Sequence, residues 1–295
     1  MKIGIDFDNT IAGYDQIFKE IAVDLGLVTI DWQGGKKAIR DYIRTLADGE
    51  ETWMRIQGQV YAEHLHRARL IPGVANFLLR CYLRKIPIFI VSHKTEYSYN
   101  DRGKIPLRIE AMKWMDQLDF FKSHRFGLKK ENVFFASTRE EKVRTIAALN
   151  CTHFIDDLEE VFNEPEFPTF TKKLLFTPDA NYEQRNDTDV FDNWTEIGNY
   201  LLGRESEDEI CIWASTLRDS NIDNCWSVKG RGNSRIFKLN FNDATSFALK
   251  YYPDLSIDSR PRLITEFKVC SCLRKNKFSN VPIVVAINKC DLQNA

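Results

Sequence analysis

An α/β fold on a parallel sheet, followed by a smaller α+β domain, is predicted by three features of this chain. Short apolar runs alternate with helical periodicity over residues 1–203. The run Ile86–Val91 is continuously apolar, the texture of a strand covered on both faces. Acidic and hydroxyl side chains gather at the ends of these runs, the edge where open α/β sheets bind ligands.

The first strand is Lys2-Ile3-Gly4-Ile5, closed by Asp6-Phe7-Asp8-Asn9-Thr10. With a side-chain period of two, Asp6 and Asp8 share a face at its carboxyl edge. Uncompensated charge there is costly, which calls for a cation or a reacting group. Residues 14–70 switch to helical spacing: Ile17, Ile21, Leu25; then Ile39, Ile43, Leu46; then Trp53, Ile56, Val60. Gly34-Gly35 and Asp48-Gly49 punctuate them, so this segment reads as a helical insertion.

Pro72-Gly73 opens a helix through Val74, Phe77, Leu78 and Tyr82, and the apolar run Ile86–Val91 follows as a buried strand ending at Ser92-His93. Residues 93–131 form a polar excursion with a helix near 107–118. Val133–Ala136 is a strand, and Thr138 with Glu141 three residues on signals a capped helix start. Thr152–Ile155 is a strand ending in Asp156-Asp157; Leu174–Phe176 is another, and Trp194–Leu202 a closing helix. Residues 203–209 are charged and non-periodic, as a linker is. Beyond it come short strands with Gly, Asn and Asp turns.

Length allows about two domains at roughly 100–200 residues each. With 41 basic and 42 acidic residues, no overall field favours nucleic acid or a membrane surface. No stretch approaches the roughly 18 apolar residues of a membrane span, and strand one starts too early for a signal peptide. Seven scattered cysteines without a CxxC pair fit reduced thiols in a cytoplasmic protein, most of them small core residues. His64 and His66 are spaced to face apart on a helix, against a shared metal.

Asp6/Asp8/Thr10, Ser92, Lys142 and Asp156/Asp157, each near the end of a successive strand, resemble the motif order of the haloacid dehalogenase (HAD) superfamily over residues 1–203. The resemblance implies a Mg2+-dependent phosphohydrolase. In it Asp6 is the nucleophile that forms an aspartyl-phosphate, and Asp8, held partly neutral, protonates the leaving oxygen and then activates water. Asp6, the main-chain carbonyl of Asp8, and Asp156 would hold Mg2+, with Asp157 steadying them. Ser92 would donate to a phosphate oxygen, Lys142 would balance the carboxylates, and Thr10 would support the loop; Arg139, Lys129 and Lys130 are alternatives to Lys142. An acid at position 8 marks the phosphotransfer branch rather than the metal-free dehalogenases. The insertion at 14–70 looks like a cap over the site. Its cations Lys36, Lys37, Arg40, Arg44 and Arg55 fit a solvated helix face better than substrate contacts. The expected substrate is a small phosphorylated metabolite such as a sugar phosphate. A non-catalytic binding or regulatory module is the alternative.

Residues 208–295 resemble the ATP-covering lobe of aminoglycoside phosphotransferase and choline kinase-like proteins. Gly230 and Gly232 lie in a hairpin, Lys250 on the following strand, and Glu266 on the helix after Arg260-Pro261. The resemblance implies ATP held by Gly230, Gly232 and Lys250, with Glu266 orienting the lysine. No catalytic-loop aspartate follows before Ala295, so the expectation is an incomplete kinase-like lobe, a piece of a longer fusion, unable to phosphorylate. Asn288-Lys289-Cys290-Asp291 matches a guanine-reading strand, but without a GxxxxGK[ST] loop it reads as a turn.

Overall fold

The computed structural model describes residues 1–97, 105–123, 125–178, 187–215, 222–228, 234–252, 258 and 260–284. In chain order the elements are β1 (Ile3–Ile5), β2 (Ala12–Gly13), α1 (Asp15–Asp24), α2 (Lys36–Ile43), α3 (Gly49–Ala62), β3 (Arg69–Leu70), α4 (Val74–Leu83), β4 (Ile88–His93), α5 (Leu107–Gln117), β5 (Val133–Ala136), α6 (Arg139–Ala148), β6 (His153–Asp156), α7 (Glu159–Phe162), β7 (Lys172–Phe176), β8 (Thr188–Phe191), α8 (Trp194–Leu202), α9 (Glu207–Ser215), β9 (Ile222–Val228), β10 (Arg235–Phe241), β11 (Ser246–Tyr251) and α10 (Arg262–Lys275). They form two compact units. One comprises Met1–Ile71, Ile86–Lys122 and Gly127–Asp192; the other comprises Pro72–Lys85, Ser123–Phe126 and Asn193–Ala295.

In the first unit six strands form one parallel sheet in the order β5-β4-β1-β6-β7-β8. The chain runs outward from β1 through β4 to β5, then returns to lay β6 on the other side of β1. That reversal puts the carboxyl ends of β4, β1 and β6 side by side, the switch point where such sheets bind ligands. Adjacent residues Ile90 and Val91 of β4, and Phe154 and Ile155 of β6, are all fully buried, so both faces are covered. One face packs Val91, Phe154 and Leu175 against Val143 and Ile146 of α6 and Val161 and Phe162 of α7. Gly4 is required here because a Cβ would stand 2.5 Å from the Phe154 ring.

The insertion folds as α1, α2 and α3, tied by a stacked Phe18–Trp53 pair at 5.0 Å and by buried Ile39, Ile43, Ile56 and Val60. Two of the positions spaced for these helices fall outside them: Leu25 follows α1 and is 45 % exposed, and Leu46 follows α2. Sequence periodicity did not show the antiparallel pair β2–β3, through which the insertion leaves and rejoins the chain, or the edge strand β8.

In the second unit β9, β10 and β11 form an antiparallel sheet in the order β11-β10-β9. Phe237, Leu239 and Phe241 of β10 pack on Ile210 and Ala214 of α9. The expected linker at 203–209 is partly helix: Ser206 Oγ accepts from Glu209 N at 3.1 Å, and Glu209 Oε2 accepts from Ser206 N at 3.0 Å, a reciprocal cap that starts α9. The expectation of reduced thiols throughout is also corrected. Cys211 of α9 and Cys225 of β9 are disulfide-bonded, their Cα atoms 6.0 Å apart where the helix packs on the strand. Cys81, Cys151 and Cys270 are buried and free. Among the described residues no helix is long and apolar enough to cross a membrane.

Candidate active site

β1 ends one residue before Asp6, whose N–H still donates to Ile155 O of β6 at 2.9 Å. The chain then curls back: Asn9 takes a left-handed φ of 60°, and Ile11 N and Ala12 N both donate to Phe7 O. This turn leaves Asp6 and Thr10 buried at the carboxyl end of the sheet.

Asp156, the last residue of β6, is fully buried beside it, and its Oδ1 accepts from Leu158 N at 3.0 Å. Lys142, carried in by the capped helix α6, places Nζ 2.6 Å from Asp6 Oδ1 and 2.6 Å from Asp156 Oδ2. The alternatives do not enter: Arg139 pairs with Glu164, Lys129 with Glu131 and Lys130 with Asp116. Asp157 joins the group, with Thr10 Oγ1 3.5 Å from its Oδ1. One oxygen each from Asp6, Asp156 and Asp157 lies within 4.8 Å of the others. Three buried or half-buried hard-oxygen donors around one ammonium fit a divalent cation such as Mg2+.

The electrostatics show the same excess of negative charge. Burial, with Asp156 and Asp8 adding to it against the pull of Lys142, raises Asp6 to about 7. Burial and the Asp6 and Asp156 charges hold Asp157 well above the usual carboxylate range. Lys142 is raised, because Asp156 and Asp6 outweigh the burial that opposes its charge.

Asp8 turns away from this cluster. Its Oδ1 accepts from Tyr14 OH at 2.5 Å and from Lys94 Nζ at 3.1 Å, and its Oδ2 lies 2.8 Å from Lys94 Nζ. Both Asp8 oxygens therefore have a hydrogen-bond donor facing them. Ser92, in β4, is 1 % exposed, and its Oγ has no hydrogen-bond partner among the described residues. A buried orphan hydroxyl at a site edge is costly unless a ligand completes it.

Lys94, Tyr14 and Tyr61 were not singled out from sequence. Lys94 had a legible signal: it lies two residues past Ser92, and Lys94 N donates to Ala136 O, extending the β4–β5 ladder. Tyr14 and Tyr61 meet edge to face at 4.9 Å and had none. Of the five insertion cations named from the sequence, Arg40 and Arg44 pair with Asp41 and Glu50, and Lys37 and Arg55 are exposed. Lys36, half-buried, donates to Tyr61 OH at 2.8 Å. Burial opposes its charge, but Tyr61, Asp157 and Asp8 hold its pKa above the usual lysine value.

In the second unit Lys250 of β11 and Glu266 of α10 form an exposed ion pair. Gly230, Gly232 and Asn288–Asp291 lie outside the described residues.

No protein-family model matches this chain, and no curated protein matches it. Among solved structures it is similar to a HAD family hydrolase from Deinococcus radiodurans R1 with bound phosphate and sodium. That match has 12 % identity and a TM-score of 0.38, and covers 68 % of this chain and 94 % of the other. A HAD hydrolase, family IA, variant 3, from Entamoeba histolytica HM-1:IMSS gives 10 %, 0.39, 72 % and 98 % respectively. A mutant CbbY from Rhodobacter sphaeroides in complex with xylulose-(1,5)bisphosphate gives 12 %, 0.38, 67 % and 96 %.

Proposed function

We propose that this chain is a magnesium-dependent phosphohydrolase of the HAD type, acting through an aspartyl-phosphate on a small phosphorylated metabolite such as a sugar phosphate. The observation that carries the reading is the convergence of Asp6, Asp156 and Asp157 on one point, with Lys142 bridging two of them. Their excess negative charge is what a divalent ion and a phosphoryl group, bound together, would satisfy.

Asp6 Oδ attacks phosphorus, and the bond to the leaving oxygen breaks as Asp8, which must enter this step protonated, delivers its proton to that oxygen and becomes a carboxylate. Asp8 then takes a proton from the water that attacks the phosphoryl-aspartate, which returns Asp6 as a carboxylate. Asp6, Asp156 and Asp157, with the Asp8 carbonyl, would hold Mg2+, which neutralises charge on the phosphoryl oxygens. Ser92 Oγ–H donates to one of those oxygens. Lys142 keeps Asp6 and Asp156 close without letting them repel. Thr10 orients Asp157, and Lys94 with Tyr14 orient Asp8.

Purified protein is expected to hydrolyse p-nitrophenyl phosphate with Mg2+, and Asp6→Asn to lose at least about 1,000-fold in kcat. Equal turnover by the variant would remove the nucleophile and the reading with it.

A second reading concerns the C-terminal unit alone. A three-stranded antiparallel sheet whose last strand carries Lys250, paired with Glu266 on the following helix, favours nucleotide binding there. A fluorescent ATP analogue should bind and Lys250→Met should abolish its binding; no binding by the unaltered chain would end this reading.

A further inference from the structure

Two ammonium groups of the first unit converge on one aromatic ring. Lys36 Nζ, from the first residue of α2, lies 5.5 Å from the Tyr61 ring centroid, and Lys94 Nζ, from just past β4, lies 5.3 Å from it. Lys36 is held in place from its backbone, its N–H donating to Asp15 Oδ1 at 2.7 Å. Its Nζ sits 5.5 Å from the Phe18 ring and, among the described residues, has no carboxylate within ion-pair distance. Lys94 is nearly fully buried, and its only ion-pair partner among the described residues is Asp8.

The phosphoryl group has other partners in the proposed reading. There Lys142 already bridges the nucleophile and Asp156, and Ser92 Oγ, with no hydrogen-bond partner among the described residues, faces a phosphoryl oxygen. Lys36 and Lys94 instead meet around Tyr61, which belongs to the insertion, beyond Asp8 and therefore where the leaving portion of a substrate would lie. Lys36 stays charged, and among the described residues its Nζ has a hydroxyl and aromatic rings rather than a carboxylate at contact distance, which leaves the ammonium able to take a ligand anion as its direct partner.

We infer that Lys36 and Lys94, flanking Tyr61, bind an anionic group, carboxylate or phosphate, carried by the leaving portion of the substrate. The inference rests on the phosphohydrolase reading and narrows its substrate class from phosphorylated metabolites in general to those bearing a second anion. Lys36 and the Tyr61 hydroxyl supply the donors, and the Phe18 and Tyr14 rings exclude water around them.

Two matched comparisons test it with Mg2+ present: 3-phosphoglycerate against glycerol 3-phosphate for a carboxylate, and fructose 1,6-bisphosphate against fructose 6-phosphate for a second phosphate. In at least one pair the doubly anionic member should have a kcat/KM roughly tenfold higher or more, the size of one charge-assisted hydrogen bond, and the difference should lie in KM. Lys36→Met should bring that ratio close to one, and Lys36→Arg should keep most of it. Circular dichroism of both variants guards against misfolding, and the retained ratio in the arginine variant distinguishes lost charge from lost structure. Ratios near one in the unaltered protein, or a ratio that survives Lys36→Met, would overturn the inference and leave the hydrolase reading standing. If neither these compounds nor p-nitrophenyl phosphate are hydrolysed, the hydrolase reading falls first and this inference falls with it.

Discussion

Each unit buries a cluster of charges, and the two are balanced in opposite ways. In the second unit Glu209 is enclosed by cations. Arg84 Nε stands 2.5 Å from its Oε1, Arg80 Nε 3.6 Å from its Oε2, and Ser206 N donates to it as well. The guanidinium groups in turn donate to the Gly203 and Leu202 carbonyls that end α8. Burial alone would raise Glu209, yet the Arg84 hydrogen bond and the Ser206 N–H bring it below the usual value. In the first unit one lysine pairs with two of three clustered carboxylates, Asp6 and Asp157 are raised, and the Ser92 hydroxyl has no hydrogen-bond partner among the described residues. A charge cluster that satisfies itself holds a fold together; one left short of positive charge is prepared for a ligand.

The sharpest way to break this contrast is to remove one charge from each. Lys142→Met should lower kcat by roughly 100-fold or more, because the nucleophile loses its partner. It should also destabilise the metal-free protein, with stability recovered on adding Mg2+. Glu209→Gln should leave hydrolysis intact but cost about 3 kcal/mol in urea unfolding, since Arg80 is left without its counter-charge. Lost activity in the second variant, or unchanged activity in the first, would erase the distinction.

Mg2+ should raise the thermal midpoint of the unaltered chain, with roughly 2.7 kcal/mol gained at a hundredfold excess over Kd. Asp156→Asn should remove this response and Glu209→Gln should keep it, as differential scanning fluorimetry would record.

A smaller effect separates the two by pH. Unfolded Asp6 titrates near 3.8 and folded Asp6 at about 7, so the folded state binds the extra proton between those values. Stability of the metal-free protein should therefore fall as pH rises from about 4 to about 7, and Asp6→Asn should flatten that slope. Glu209 has the opposite sign. Its folded value lies below the usual 4.5, so its stabilising share is present above that pH and is lost as pH falls through the lowered value. Chemical denaturation across this range reads both.

A strand was legible where the apolar run is continuous and central, as at β4, because such a run suits a sheet buried on both faces. Thr188–Phe191 was not legible: it is short, lies at the sheet edge, and is only partly buried along most of its length. Ser206–Glu209 carried a readable cap, but its charge density read as a linker. The period of two that paired Asp6 with Asp8 also pairs Ser92 with Lys94, so Lys94 lay within reach of the same reasoning.

Local chemistry along the chain determined where strands end, which helices are capped, and which acidic residues stand at a sheet edge, since propensity, periodicity and capping act over a few neighbouring residues. Only the folded arrangement decided that Lys142, 136 positions from Asp6, enters the carboxylate cluster, that Lys36 meets Lys94 around Tyr61, and that Cys211 finds Cys225. Those meetings depend on strand order and helix packing, which are set by burial summed over the whole core rather than by any short stretch of residues.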